Sequence, residues 1–123
     1  MPFDHVGFNV RNFLRSRDFY VQALAPLDIG ILHERDDWAA FGEDGHVLLW
    51  IGEPAGPSGR IHVAFAARDR AAVRAFHAAA LEAGGRDNGG PGLRPGYGQD
   101  YYAAYVIDPD GHNIEAVCRR AET

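Results

Sequence analysis

The feature that most constrains this chain is an internal repeat that combines one strand with one helix. Residues 3–24, FDHVGFNVRNFLRSRDFYVQAL, align without a gap with residues 60–81, RIHVAFAARDRAAVRAFHAAAL, 57 positions later. The alignment superposes His5 on His62, and the apolar residues that follow also match. Self-similarity of this kind indicates one structural unit that is used twice.

Each copy begins with a predicted strand. Residues 5–10 and 62–67 alternate between two faces, one apolar and one polar or small, as in a half-buried strand. Gly and Pro dominate 86–99, so this segment is predicted to be loop rather than sheet. The other predicted strands cover 29–34, 37–42 and 46–52 in the first copy and 100–107 and 112–119 in the second.

A helix is predicted after the first strand of each copy, over 13–24 and 70–83. Asn12 and Asp69 precede these segments, where a side-chain oxygen can accept from a free backbone N–H group as an N-cap. Helices that cover the apolar strand face leave the opposite face to curve into a cleft. The expected fold is therefore α+β, with two βαβββ repeats forming a cupped sheet.

The length of 123 residues suits one domain over 1–123. The first repeat is expected over about 1–52, a linker over 53–60 and the second repeat over about 61–119. Turn-forming residues occupy DPDG at 108–111, which is read as a turn and not as a metal loop.

Composition excludes several classes of function. The net charge is −5 and no basic run occurs, which argues against a nucleic-acid partner. All 12 basic residues are arginine, so neither a Schiff-base lysine nor a P-loop lysine is available. No apolar run is long enough for a membrane helix, and the start lacks signal-peptide features. The single cysteine, Cys118, indicates a reducing, cytoplasmic setting.

Three residues form a candidate metal site. His5 and His62 fall on the polar face of their strands, and Glu115 lies among apolar residues on the last strand. A buried carboxylate is costly unless it is paired or bound to a cation. Two imidazoles and one carboxylate suit Fe(II), Mn(II), Ni(II) or Zn(II). The alternative is that hydrogen bonds satisfy both histidines and that an arginine pairs with Glu115.

A second internal match predicts what stands at the fourth ligand position. DGH at 44–46 aligns with DGH at 110–112, which superposes Glu115 on Leu49. Neither Leu49 nor its neighbour Trp50 can bind a metal. An ion held by three protein ligands keeps open positions for water or substrate, as catalytic metals require.

Three motifs resemble those of the vicinal oxygen chelate superfamily, which includes glyoxalase I, bleomycin-resistance proteins, extradiol dioxygenases and fosfomycin-modifying thiol transferases. DHVGFNV resembles the first strand of that family, IHVAFAARD its middle strand and DPDGHNIEAV its closing motif. The resemblance covers nearly the whole chain and implies paired βαβββ units around a cupped sheet.

The resemblance assigns His5, His62 and Glu115 to metal-ligand positions. The fourth position departs from glyoxalase I, which argues against methylglyoxal–glutathione isomerisation. Lysine is absent, whereas the fosfomycin transferases use one to bind the phosphonate, and bleomycin-binding members lack the ligands. The resemblance also implies a homodimer, in which the counterpart of His5 can act with the ligands of the other chain. An internal site and a shared site both remain open.

Other residues are candidates for substrate contact and for chemistry. Tyr105 matches a substrate-side tyrosine of the fosfomycin transferases and joins Glu115 as a catalytic candidate, with core packing as the alternative. Tyr20 and His77 occupy matched helix positions and are expected to face solvent or a subunit contact. The predicted substrate-binding residues are Leu49, Trp50, Arg94, Tyr97, Tyr101 and Tyr102.

Two functions of different classes follow. The first is a divalent-metal-dependent lyase, dioxygenase or transferase of the glyoxalase type, which acts on a small oxygen-bearing molecule through bidentate chelation. The second is a metal-free protein of the bleomycin-resistance type, which sequesters a small molecule in the cleft.

Overall fold

The computed structural model describes residues 4–53, 59 and 61–121. The first unit comprises β1 (Val6–Asn9), α1 (Phe13–Leu24), a short 3-10 helix (Ala25–Leu27), β2 (Gly30–Glu34), β3 (Trp38–Glu43) and β4 (His46–Gly52). The second unit comprises β5 (His62–Ala66), α2 (Arg70–Glu82), β6 (Arg86–Leu93), β7 (Tyr102–Ile107) and β8 (Asn113–Cys118). This order confirms the α+β class and the two βαβββ units. Most of the predicted linker lies outside the described residues.

The two units have the same topology. The strands form two four-stranded sheets, with the orders β1-β4-β3-β2 and β5-β8-β7-β6. In each sheet the first and last strands of the unit are parallel neighbours, and the remaining pairs are antiparallel. The side chains of Asn12 and Asp69 accept from Arg15 N and Ala72 N, as predicted for the two N-caps. Among the described helices, none is long and apolar enough to cross a membrane.

The prediction that the glycine-rich segment is loop is wrong for 86–93. These residues form β6, which pairs antiparallel with β7. The ladder shifts register between Asp87 and Gly89 and again before Gly92, so bulges absorb the extra residues. β6 is an edge strand, where Pro91 can lack a backbone N–H without breaking the interior of the sheet.

One hydrophobic core lies under both sheets. It combines the buried faces of α1 and α2 with one face of each sheet, and includes Phe8 and Ile51 from the first and Phe65 and Ile114 from the second. The opposite side of each sheet is called its outer face here. The outer face of the second sheet carries His62, Ala64, Ala66, Asn113, Glu115, Val117, Ala103 and Tyr105.

The DPDG turn joins the two units through its carboxylates. Asp108 is 4% exposed and accepts from the backbone N–H groups of Asp110 and His112, which shapes the turn. Its second oxygen accepts from the Tyr20 hydroxyl at 2.5 Å. The expectation that Tyr20 faces solvent is therefore wrong, because its ring is fully buried and its hydroxyl has a partner 88 residues away.

Replacing Tyr20 by Phe tests this joint. The variant leaves the buried Asp108 carboxylate without one of its donors, so we expect a loss of about 1–3 kcal/mol in the free energy of unfolding. Urea unfolding monitored by circular dichroism measures it. Tyr97→Phe, at a ring that is 69% exposed, is the matched control and should change stability by less than about 0.5 kcal/mol. Equal effects of the two substitutions would contradict the role of the Tyr20–Asp108 bond.

Candidate functional site

The outer face of the second sheet holds a buried carboxylate that is paired with an exposed histidine. Glu115 is 1% exposed and stands beside Ala64 in the parallel ladder, with no bulky side chain on that neighbour. His62 lies two residues before Ala64, on the same face. Its Nε2 atom lies 2.8 Å from Glu115 Oε1, and more than half of its side chain remains exposed. The structure therefore brings together two of the three predicted ligands within one chain.

Two tyrosines complete the surroundings of Glu115. The Tyr101 hydroxyl donates to Glu115 Oε2, and Tyr105 stands opposite Glu115 in the β7–β8 ladder. Burial, and then the Glu115 hydrogen bond and charge, raise the pKa of Tyr101. Burial and the Glu115 charge also raise the pKa of Tyr105, although Arg94 opposes the shift. Both phenols are thus held protonated and can donate hydrogen bonds near neutral pH.

His5 does not join this pair within the chain. It directly precedes β1 in the first sheet, its side chain is exposed, and its Nδ1 atom lies 2.9 Å from Asp4 Oδ1. A hydrogen bond from Nδ1 to a carboxylate is the support that metal-binding histidines usually have, and it leaves Nε2 available to a ligand. Over residues 4–53, 59 and 61–121, no cluster of three or more His, Cys, Asp or Glu side chains could hold a metal.

The residue that corresponds to Glu115 in the first unit is Trp50, not Leu49. Ala64 corresponds to Gly7 in the repeat, and the ladders pair Ala64 with Glu115 but Gly7 with Trp50. Leu49 is fully buried in the core, so its predicted place on a substrate wall is wrong. A shift of one residue moves a side chain to the other face of a sheet. Trp50, like Leu49, has no side-chain group that binds a metal, so this position of the first unit offers no ligand.

Trp50 forms an aromatic surface on the outer face of the first sheet. Its ring stacks on that of Trp38, with centroids 6.5 Å apart and an interplanar angle of 27°. A Cβ atom at Gly52 would come within 2.4 Å of the Trp50 ring, so this indole position requires glycine there. The half-buried tryptophans give this face an apolar wall.

The loop after β6 brings Arg94 and Tyr97 to the site, whereas Tyr102, the first residue of β7, faces away from it. The Arg94 guanidinium carbon lies 5.4 Å from the centroid of the Tyr105 ring, and the Tyr97 ring packs edge-on against Tyr101. Tyr102 packs against the core. The Arg70 guanidinium on α2 lies over its ring, with 5.0 Å between the guanidinium carbon and the centroid of the Tyr102 ring. Its predicted role in substrate binding is wrong, because neighbouring residues of β7 point to opposite faces.

Two cavities border the outer face of the second sheet. The smaller, of about 290 Å³, lies beside the Glu115 site and is lined by Asn88, Gly89, Arg94, Tyr97, Tyr105 and Asn113. The larger, of about 470 Å³, lies between the two units at the far ends of β5 and β8. The smaller cavity is the one that the chemistry favours, because Asn113 and Tyr105 in its lining are the ladder partners of His62 and Glu115.

Sequence reasoning missed three contacts of the site. Arg119 lies over the ring of Tyr101, with 4.9 Å from the guanidinium carbon to the centroid, and Asp4 supports His5. The Asp4–His5 pair could have been found, because the two residues are adjacent in sequence. The Tyr101–Glu115 hydrogen bond could not, because it depends on the bulged path of β6 and the loop that follows.

Comparisons with known proteins agree with the fold. The family model described as Glyoxalase/Bleomycin resistance protein/Dioxygenase superfamily matches residues 3–116. This chain belongs to that superfamily. The comparison with curated proteins finds no match.

Solved structures of the superfamily share the fold. A glyoxalase/bleomycin resistance protein from Albidiferax ferrireducens T118 is 30% identical, with a TM-score of 0.84 over 98% of this chain and 100% of that one. A glyoxalase-related enzyme from Fulvimarina pelagi is 18% identical, with a TM-score of 0.74 over 94% and 86% of the two chains. A lactoylglutathione lyase from Agrobacterium tumefaciens is 15% identical, with a TM-score of 0.69 over 94% and 92%. At the identities of the last two, the likeness concerns the fold alone.

The coupling between Tyr101 and Glu115 can be measured as a pKa. The difference in phenolate absorbance between the native protein and Tyr101→Phe follows the ionisation of Tyr101, whose midpoint we expect above 10. Glu115→Gln removes the nearby negative charge and should lower this midpoint. Glu53→Gln, at a carboxylate that instead accepts from the α1 backbone at Phe13, is the control. A midpoint that Glu115→Gln leaves unchanged would contradict the contact.

Proposed function

We propose that this protein is a divalent-metal-dependent enzyme that acts on a small molecule with two neighbouring oxygen atoms. The observation that carries the proposal is the His62–Glu115 pair. The His62 Nε2 atom lies 2.8 Å from Glu115 Oε1, and Glu115 is only 1% exposed. No arginine neutralises Glu115 among the described ion pairs. An imidazole and a carboxylate on one face suit an ion of the first transition row, such as Fe, Mn, Ni or Zn.

The donor set fits an ion that two chains share. His62 and Glu115 would supply two ligands from one chain, and His5 of a second copy would supply the third. His5 is suited to this role, because its side chain is exposed and its Nδ1 atom is paired with Asp4. Two copies in a closed symmetric dimer would form two such sites, since each chain contributes both halves.

The residues around the ion would then have different roles. A bound divalent ion supplies Lewis-acid polarisation of the two substrate oxygens. Glu115 would hold the ion and accept a proton when one of its oxygens is free. Tyr101 and Tyr105 would donate hydrogen bonds to Glu115 or to a substrate oxygen, since their raised pKa values keep them protonated. Trp50 would exclude water from the opposite wall.

A metal-free binding protein is the second candidate, and one observation favours it. Both oxygens of Glu115 already have partners in a single chain, His62 and Tyr101, so the carboxylate is satisfied without an ion. In this case the paired tryptophans and the tyrosines would bind an apolar or aromatic molecule, and His5 would contribute nothing.

Metal binding distinguishes the two functions. Protein purified without a His tag and titrated with Fe, Mn, Ni and Zn should bind one ion per chain, as measured by calorimetry and by mass spectrometry of the metal content. His62→Ala and Glu115→Gln should each weaken binding at least about tenfold, because each removes a ligand. His33→Ala, at an exposed histidine on β2, is the matched control. If the native protein binds no divalent ion, or if His33→Ala weakens metal binding as much as His62→Ala does, the enzyme proposal is wrong.

A further inference from the structure

The smaller cavity beside Glu115 offers hydrogen-bond donors and no acid. Its lining combines the Arg94 guanidinium, two asparagine amides and two tyrosines, without an Asp or Glu side chain. Asn88 Nδ2 donates to Asn113 Oδ1 at 3.2 Å, which occupies the amide oxygen of Asn113 and leaves its NH2 group as a donor. A cavity of this character is suited to an anionic group.

Arg94 is held in place by its backbone neighbours rather than by a counter-ion. Its Nη2 atom donates to the Gly90 carbonyl at 2.6 Å, and the guanidinium lies over the Tyr105 ring. Gly89 and Gly92 make room for it, since a Cβ atom at either position would come within 3.3 Å and 3.0 Å of its terminal nitrogens. Among the described residues, no carboxylate lies within ion-pair distance of Arg94. The guanidinium is thus fixed, and its charge is not neutralised by an ion pair.

Tyr105 lies close both to this charge and to the candidate metal pair. The His62 ring centroid lies 6.4 Å from the Tyr105 ring centroid, and the Arg94 guanidinium carbon lies 5.4 Å from the same point. Because Arg94 and His62 both lie close to the Tyr105 ring, one small molecule could reach Arg94 and the His62–Glu115 pair together. A molecule that reaches both would carry an anionic group in addition to its chelating oxygens.

We propose that the cavity at Arg94 binds a carboxylate, and that the substrate is an organic acid that carries this carboxylate in addition to its two neighbouring oxygens. This inference rests on the proposed function for the chelating oxygens, but the carboxylate subsite exists independently of any metal. Arginine is the residue best suited to it, because its planar guanidinium can donate two parallel hydrogen bonds to a carboxylate.

Benzoate and benzamide test the subsite, since they share shape and size and differ in charge. Calorimetric titration of the metal-free protein should show benzoate binding at least about tenfold more tightly than benzamide. Arg94→Gln should abolish this preference, and Arg94→Lys should retain part of it, because the charge remains without the planar fork. Arg86→Gln, at an exposed arginine at the start of β6, should leave the preference within about twofold.

The outcomes separate this inference from the proposed function. Equal affinity for the two molecules, no detectable benzoate binding, or a preference that survives Arg94→Gln would overturn the carboxylate subsite. A preference that is lost in Arg94→Gln but kept in Glu115→Gln would support the subsite, whatever the metal titration shows. Failure of metal binding alone would overturn the enzyme proposal and leave the carboxylate site in place. Circular dichroism of each variant ensures that a lost preference is not lost folding.

Discussion

Burial of one carboxylate, Glu115, governs the arrangement of the second unit. A carboxylate that is 1% exposed must be compensated, and here an imidazole and a phenol compensate it from two different segments. Ala64 leaves space beside it on β5, and the chain after β6 folds back so that Tyr101 can reach it. The same requirement gives the site its chemistry, because groups that stabilise a buried carboxylate are those that would surround a carboxylate metal ligand.

A second buried carboxylate, Asp108, connects the two units. Asp108 binds backbone N–H groups of its own turn and the hydroxyl of Tyr20 on the helix of the other unit. Asp110 extends this joint by accepting from Ser16 and from the Arg11 backbone. The two acids of the family's closing motif therefore hold the two units together, while the glutamate of the same motif faces the site. One short segment thus serves both the fold and the function.

The parts of the structure that sequence predicted are those that depend on local pattern. The two helices, their N-caps and the place of His62 on the face opposite the core follow from short-range alternation and capping, and the structure agrees with them. The register of β4 was missed because the two DGH motifs lie in different turns. In the first unit a two-residue turn, Asp44–Gly45, precedes β4, whereas five residues separate β7 from β8. β6 was missed because bulges allow a glycine-rich edge strand to pair without regular alternation.

A shared metal site is the central claim, and mixing two inactive variants tests it most directly. His5→Ala and His62→Ala proteins, unfolded together in equal amounts and refolded, would form mixed dimers in which one of the two sites has all its ligands. Metal binding should return to about a quarter of the native number of sites, since half of the dimers are mixed and each has one intact site. Each variant refolded alone should show no site of native affinity, because every site then lacks one ligand. If the mixture binds no more metal than the separate variants, the ligands do not come from two chains and the proposed shared site is wrong.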